Sequence, residues 1–141
     1  SIFYSYIKDS TVDTISLPDG LYEHNKKMYL DYIEYHKQLI NDLNIKIHNT
    51  SDDQNIDWLG AHVFAQSLIE FGLDTSRIIC LLDNDKNKQS KRLYGTSMFV
   101  ESPAILRKVS KPIVILKAGV YNREISSDIL NNINSDTIFW E

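Results

Sequence analysis

The stretch Ile78-Ile79-Cys80-Leu81-Leu82 is apolar throughout and ends at the polar Asp83. A continuous apolar run of this length is typical of a strand that is buried on both faces of a parallel sheet. A second run of the same kind, Ile113-Val114-Ile115-Leu116, lies further along the chain and is broken by Gly119. We therefore expect both runs to be buried strands of an α/β domain.

The segments around these two runs alternate between strand and helix patterns. Before Ile78, the chain has a strand from Ile56 to Leu59, a turn at Gly60 and a helix from Val63 to Phe71 that Gly72 closes. The remaining predicted elements are a short Met98-Phe99-Val100, a brief helix that starts at Ser102-Pro103, a helix from Tyr121 to Asn131, and a last strand Thr137-Ile138-Phe139-Trp140. The alternation predicts right-handed crossovers and an α/β fold, a Rossmann-like three-layer sandwich with a mostly parallel sheet of about five strands.

A long N-terminal helix is expected to precede this sheet. Apolar residues recur at steps of three and four from Leu21 to Asn44, with charged residues between them. We divide the chain into residues 1–18, the end of a preceding domain and a linker; residues 19–48, the long amphipathic helix; and residues 55–141, the Rossmann-like domain. Residues 2–7 are rich in β-branched and aromatic types and are compatible with a short strand.

Composition argues against several classes of partner. The 141 residues carry 15 Lys and Arg against 19 Asp and Glu, a formal net charge of −4, so no global basic field attracts nucleic acid or an anionic membrane. No segment approaches eighteen consecutive apolar residues. Cys80 is the one cysteine, which excludes an internal disulfide and suits a reducing compartment. We expect a cytoplasmic protein.

The candidate binding site lies where the strand order is expected to reverse. Ligands of open parallel sheets bind beyond the carboxyl ends of the strands at such a reversal, here between the strands that begin at Ile56 and Ile113. A helix start after Gly60 offers N–H groups to a phosphate or carboxylate, and Asp83 stands where a dinucleotide fold places its ribose-binding acid. The predicted substrate-binding residues are Gly60, Ala61, His62, Asp83, Asn84, Gly119 and Tyr121.

The glycines limit what this site can hold. The chain has five, too widely spaced for a G-x-G-x-x-G or Walker A loop, so we do not expect a dinucleotide or triphosphate held in the usual way. A plain strand-to-helix turn with nothing bound is the competing interpretation of Gly60. If the site is used, a bulky residue in place of Gly60 should weaken ligand binding and leave the fold intact.

The other polar residues give no prediction of a catalytic or metal-binding residue. Two of these features, His62 and a basic cluster, each have two possible interpretations. His62 is either a base or hydrogen-bond donor beside the cleft or an ordinary turn histidine. The segment Asp83–Lys88 imitates the start of a calcium loop but lacks its glycine and its terminal glutamate, so calcium binding is rejected. A basic cluster suits either a diphosphate or a solvated loop, and it comprises Lys86, Lys88, Lys91 and Arg92.

Four segments, taken in order, resemble a known family. They are Leu59-Gly60-Ala61-His62, the stretch from Leu82-Asp83-Asn84 through Lys88-Gln89 to Gly95-Thr96, the pair Ser102-Pro103, and Ala118-Gly119-Val120-Tyr121 running on to Glu124-Ile125. Together they are similar to the C-terminal domain of S-adenosylmethionine-dependent sugar C-methyltransferases. In that family these positions carry a glycine turn, a D-x-(N/D)-x-x-K-Q segment followed by G-T, an S-P helix start and a late E-I pair.

The resemblance implies that two domains of one polypeptide have separate roles. The methyl-donor site and the catalytic residues of such enzymes lie in the preceding domain, so this chain would carry no cofactor, with S-adenosylmethionine implied for the preceding methyltransferase domain of the same polypeptide. The chain itself would position a nucleotide sugar. Two alternatives stay open: a non-enzymatic Rossmann-like binding or regulatory module, and the N-terminal nucleotide-sugar-binding domain of a sugar acyltransferase.

Overall fold

A computed structural model describes residues 4–13, 16 and 18–141. It contains a five-stranded, all-parallel sheet with helices, preceded by a long helix, and so confirms the expected α/β, Rossmann-like fold. The helices are α1 (Leu21–Asn49), α2 (Val63–Glu70) and α3 (Asn122–Asn132). The strands are β1 (Ile56–Leu59), β2 (Ile78–Leu82), β3 (Val100–Glu101), β4 (Ile113–Leu116) and β5 (Ile138–Trp140). Short 3₁₀ helices span Pro103–Lys108 and Gly119–Tyr121.

The strand order is β3-β2-β1-β4-β5, with β1 at the centre. The chain builds outward from β1 to β3 on one side, then returns to build β4 and β5 on the other. The order therefore reverses between β1 and β4, as the sequence predicted. Leu59, the last residue of β1, pairs with Leu116 of β4 and with Leu82 of β2, so the carboxyl ends of these three strands lie at one edge.

Helices cover the sheet on both faces. On one face, Ile40, Leu43 and Ile47 from the second half of α1 belong to a buried cluster with Trp58 of β1, which α2 also joins through Ala65 and Leu68. On the other face, a second buried cluster combines strand residues with α3 and the first 3₁₀ helix; its members are Leu59, Cys80, Leu82, Leu106, Val114, Leu116 and Ile129. Trp58 and Leu59 join different clusters because successive strand residues point to opposite faces. The result is a three-layer arrangement.

Asn44 fastens α1 to the loop that follows α2. Its side-chain nitrogen donates to the carbonyl of Gly72 at 3.0 Å, and its side-chain oxygen accepts the N–H of Asp74 at 2.8 Å. Both groups of one amide are thus used, which fixes its orientation. The helix continues beyond Asn44 to Asn49.

The chain divides into two compact units, Ser1–Glu34 and Tyr35–Glu141. Residues 2 and 3 of the strand suggested over 2–7 lie outside the described residues, while residues 4–7 form no strand and leave Tyr6 and Ile7 each 91% exposed. A strand is stable only when it pairs with a neighbour, and β-propensity alone does not supply one. Among the described residues, no helix has the length and apolar character needed to cross a bilayer.

Candidate functional site

Asp83 joins the carboxyl ends of β1 and β2. Its Oδ2 accepts the backbone N–H of Ala61 at 3.1 Å and lies 2.8 Å from Nζ of Lys88, while its Oδ1 accepts the N–H of Asp85 at 2.9 Å. Its own backbone is held as well, since its N–H donates to the carbonyl of Glu101. Asp83 thus fixes the turn after β1 against the loop after β2.

The environment of Asp83 favours the ionised carboxylate. Burial opposes ionisation, but the hydrogen bond and charge of Lys88 and the N–H groups of Asp85 and Ala61 outweigh it, so the pKa lies below its ordinary value. Two donors already occupy Oδ2, while Oδ1 has one donor and room for a second. A ribose hydroxyl could approach only at Oδ1, and that role for Asp83 stays a prediction.

Gly60 has a backbone conformation that only glycine adopts without strain. Its φ is +114°, and a Cβ added to it would lie 2.7 Å from Nε2 of His62, whose ring sits over the turn. A larger residue at position 60 would therefore strain the backbone and collide with the imidazole. We therefore expect a bulky substitution to cost stability, and the expectation that it leaves the fold intact stays a prediction.

His62 begins α2 as its N-cap. Nδ1 of its ring accepts the N–H of Phe64 at 3.3 Å, and burial and the charge of Lys88 lower the pKa of the imidazole, partly offset by Asp83. The N–H of Phe64 and that of Ala61 are thus both taken by side chains of the protein itself. The expectation of free N–H groups at this turn is wrong for these two.

A cleft of about 270 Å³ opens at the carboxyl edge of the sheet, between the ends of β1 and β2 and helix α3, and none of the described residues of β4 or of the loop directly after it lines the cleft. It is lined by Leu59, Asn84, Pro103, Glu124, Ile125, Asp128 and Ile129. The apolar members are buried or half-buried and form its floor, whereas Asn84, Glu124 and Asp128 are exposed and form its rim. An apolar floor with a few polar groups is the usual composition of a small-molecule site.

One of the predicted binding residues lines this cleft, and the others lie at the ends of the neighbouring strands. Asn84 lines it, while Gly60, Ala61, His62 and Asp83 lie at the adjoining ends of β1 and β2. Gly119 and Tyr121 form the 3₁₀ helix that follows β4, at the same edge because β4 is the parallel neighbour of β1. Tyr121 is 62% exposed and does not line the cleft.

Glu124 and Asp128 were not predicted as site residues. They lie four residues apart on α3, which places them on one face of the helix, and both line the cleft. Their spacing and the position of α3 directly after β4 are signals that the sequence contains. The sequence does not show how α3 is rotated about its axis, and this rotation turns the face towards β1.

The buried pair Asp57 and Cys80 is not suited to nucleophilic chemistry. Asp57 is 2% exposed, and Sγ of Cys80 donates to its Oδ1 at 3.3 Å. Burial raises the pKa of the Cys80 thiol, and the neighbouring Asp57 carboxylate raises it further. The thiol stays protonated at neutral pH, and we assign it a place in the core.

The described part of the chain contains no group of three or more His, Cys, Asp or Glu residues that could hold a metal ion. A scan against protein-family models and searches of curated proteins and of solved structures found no match to this chain.

Proposed function

We propose that this chain is the C-terminal, substrate-positioning domain of a cytoplasmic methyltransferase that uses S-adenosylmethionine and acts on a nucleotide sugar or polysaccharide precursor. The cleft at the carboxyl edge of the sheet holds the sugar, and the methyl donor binds outside this chain. The cleft residues orient the substrate and supply no chemical step of their own.

The composition of the cleft is the observation that carries this proposal. The buried Leu59, Pro103 and Ile129 offer an apolar floor for the C–H face of a sugar ring. The carboxylates of Glu124 and Asp128 accept hydrogen bonds from hydroxyl groups, and the amide of Asn84 both donates and accepts. A volume of about 270 Å³ suits one sugar ring with part of its linkage.

The positions of the resembling segments in the structure support the same assignment. Its segments are separate in sequence, yet Leu59, Asn84, Pro103 and the pair Glu124-Ile125 all line the one cleft. Residues that a family keeps for binding one substrate are expected to converge in this way.

The exposed apolar side chains on the first half of α1 fit the proposed contact with a methyltransferase domain. Tyr22 and Tyr29, seven residues apart, lie on one face of the helix and are 72% and 65% exposed. Apolar side chains grouped on one exposed helix commonly mark an interaction surface. We propose that this surface packs against the catalytic domain.

Calorimetry with the chain and a panel of nucleotide sugars tests the function. Each sugar is compared with its nucleoside diphosphate, so that the gain in affinity from the sugar is measured separately. The double variant Glu124→Gln/Asp128→Asn should remove most of this gain, about tenfold or more, because charged hydrogen-bond acceptors are lost. The variant Asp42→Asn, at an exposed position of α1, should keep it.

Two results would overturn the proposal. One is a panel in which no sugar improves on its nucleoside diphosphate, or in which the double variant keeps the full gain. The other is tight binding of S-adenosylmethionine to this chain, which would place the donor site here.

A further inference from the structure

A second cavity, of about 240 Å³, lies beside the start of α2, and Lys88 of the Asp83–Lys88 ion pair lines it. Its lining includes Ala61, Lys88, Lys91, Arg92, Leu93 and Tyr94. Three of these residues are cations, and none of the described residues that line it is acidic. We call it the basic cavity.

The cations of the basic cavity outnumber the carboxylate that they contact. Lys88 pairs with Asp83, and Nζ of Lys91 donates to the carbonyl of Asn87 at 2.6 Å, which leaves its charge uncompensated. The start of α2 adds the partial positive charge of a helix N-terminus. The cavity is therefore electropositive in a chain whose net charge is −4.

The backbone that carries these cations is held in place. Ser90 donates to the carbonyl of Val100 at 2.8 Å, Val100 donates to that of Lys91 at 2.9 Å, and Leu93 donates to that of Met98 at 2.9 Å. Arg92 also forms an antiparallel bridge with Phe99. The segment is thus tied to the region of β3, and a fixed backbone lowers the entropy lost when an anion is bound.

We propose that the basic cavity binds a diphosphate group. Arg92 can engage two phosphate oxygens at once through its planar guanidinium, and Lys88 and Lys91 act as point charges beside it. This inference rests on the proposed function, since it names the diphosphate of the nucleotide sugar as the occupant. The sugar then lies in the cleft and the diphosphate in the basic cavity.

The two sites open on opposite faces of the sheet, so a ligand that occupies both crosses its carboxyl edge. Leu59 and Ile129 of the cleft belong to one buried cluster, and Ala61, Leu93 and Val100 of the basic cavity belong to the other. Leu59 lines the cleft and Ala61 lines the basic cavity, and they are separated by Gly60 alone. At the reach of an extended chain, their Cα atoms lie within about 7 Å of each other. In the loop after β2, Asn84 lines the cleft and Lys88, four residues later, lines the basic cavity.

Titration calorimetry with inorganic pyrophosphate tests the basic cavity without any sugar. The double variant Lys91→Ala/Arg92→Ala should weaken binding about tenfold or more, since two charged contacts are lost. The control, Lys86→Ala/Lys108→Ala, removes the same charge at exposed positions that do not line the cavity and should weaken binding less than about threefold. Equal weakening in both double variants, or no binding of pyrophosphate to the unchanged chain at millimolar concentration, would overturn the inference.

The same variants separate this inference from the proposed function. If nucleotide sugars bind the Lys91→Ala/Arg92→Ala variant as tightly as the unchanged chain, the function stands and the basic cavity is not its diphosphate site. If pyrophosphate binds through Lys91 and Arg92 but nucleotide sugars do not displace it, the cavity is a diphosphate site and the proposed function fails.

Discussion

Nζ of Lys88 lies 2.8 Å from Oδ2 of Asp83, the same oxygen that accepts the N–H of Ala61. The ion pair closes the loop after β2 on itself, and the N–H of Ala61 ties the turn after β1 to the same oxygen. The side chain of Asp83 is 14% exposed and that of Lys88 is 41% exposed. The pair is therefore partly shielded from solvent, and its effect on stability should be measurable.

Replacing Lys88 with Met removes the charge and keeps the aliphatic stem. We expect the free energy of unfolding at neutral pH to fall by about 1 kcal/mol, the upper end for a partly exposed pair. The folded-state pKa of Asp83 is lowered, so its contribution is present above the unfolded pKa and is lost as pH falls through the folded pKa. Urea unfolding should accordingly show a smaller loss at acid pH. Lys86→Met, in the same loop, is the control, and an equal loss at both pH values would contradict the pairing.

His62 should make the stability of α2 depend on pH. The neutral ring caps the helix through Nδ1, and protonation turns this acceptor into a donor. Because the folded-state pKa is lowered, the contribution is present above the unfolded pKa and is lost as pH falls through the folded one. His62→Ala should cost about 1 kcal/mol at mildly alkaline pH and less at acid pH.

The variant His62→Asn is the matched control for this effect. Asparagine keeps a capping acceptor but does not titrate, so it should retain the stability and lose this part of the pH dependence. A pH dependence in His62→Asn equal to that of the unchanged chain would show that another group is responsible.

The fold could be predicted from the sequence because two of its inner strands are apolar throughout. The runs Ile78–Leu82 and Ile113–Leu116 each form a strand with the predicted bounds, and their residues are buried except Ile79, which is 57% exposed. The position of the reversal followed from taking the strand at Ile56 as central. The segment 2–7 has the same local signals, but residues 4–7 do not form a strand, since propensity does not provide a pairing partner.

The site could be predicted only in part, because its contacts join residues that are distant in sequence. Asp83 was selected for its place after a strand, but nothing in the sequence indicates that Ala61, twenty-two residues earlier, donates to it. Glu124 and Asp128 share a helical face that periodicity predicts. That this face points to the cleft depends on the path of the crossover from β4 to α3, which is a tertiary property.

We expect the contribution of Asp57 to the free energy of unfolding to decrease as pH rises. Burial raises its folded-state pKa, and the thiol of Cys80 offsets this only in part. The folded chain binds this proton more tightly than the unfolded chain does, so the stability contribution is present below the unfolded pKa and is lost as pH rises through the folded one. Compared with the unchanged chain, Asp57→Asn should gain relative stability from acid to neutral pH, by about 1 kcal/mol for each pKa unit of elevation. A constant difference across this range, as expected for the exposed control Asp42→Asn, would contradict it.

The two tryptophans should differ in fluorescence. Trp58 is 1% exposed, and Nε1 of its indole has no hydrogen-bond partner among the described residues. Trp140 is partly exposed, and Nζ of Lys46 lies 5.8 Å from its ring centre. The variant Trp140→Phe, which leaves Trp58 as the emitter, should give blue-shifted emission that acrylamide quenches weakly. Trp58→Phe should leave red-shifted, readily quenched emission, and similar quenching in the two variants would contradict the burial of Trp58.

Alanine at Gly60 and at Gly72 separates backbone strain from collision. Both glycines have a positive φ, +114° at Gly60 and +106° at Gly72, so each substitution should cost about 1–3 kcal/mol of stability through the backbone alone. A Cβ at Gly72 meets nothing within 4 Å, whereas one at Gly60 lies 2.7 Å from Nε2 of His62. Gly60→Ala should therefore destabilise the chain more than Gly72→Ala, as measured by urea unfolding.

A double-mutant cycle assigns this excess to the imidazole of His62. Gly60→Ala combined with His62→Ala should cost less than the sum of the two single variants, because the collision exists only when both side chains are present. His62→Ala removes the N-cap of α2 whether residue 60 is Gly or Ala. The cost of losing the cap is therefore the same in both cases and cancels in the cycle. Gly72→Ala combined with His62→Ala should be additive, since those positions have no such contact. If the Gly60 pair were additive as well, the ring of His62 would not lie over the turn.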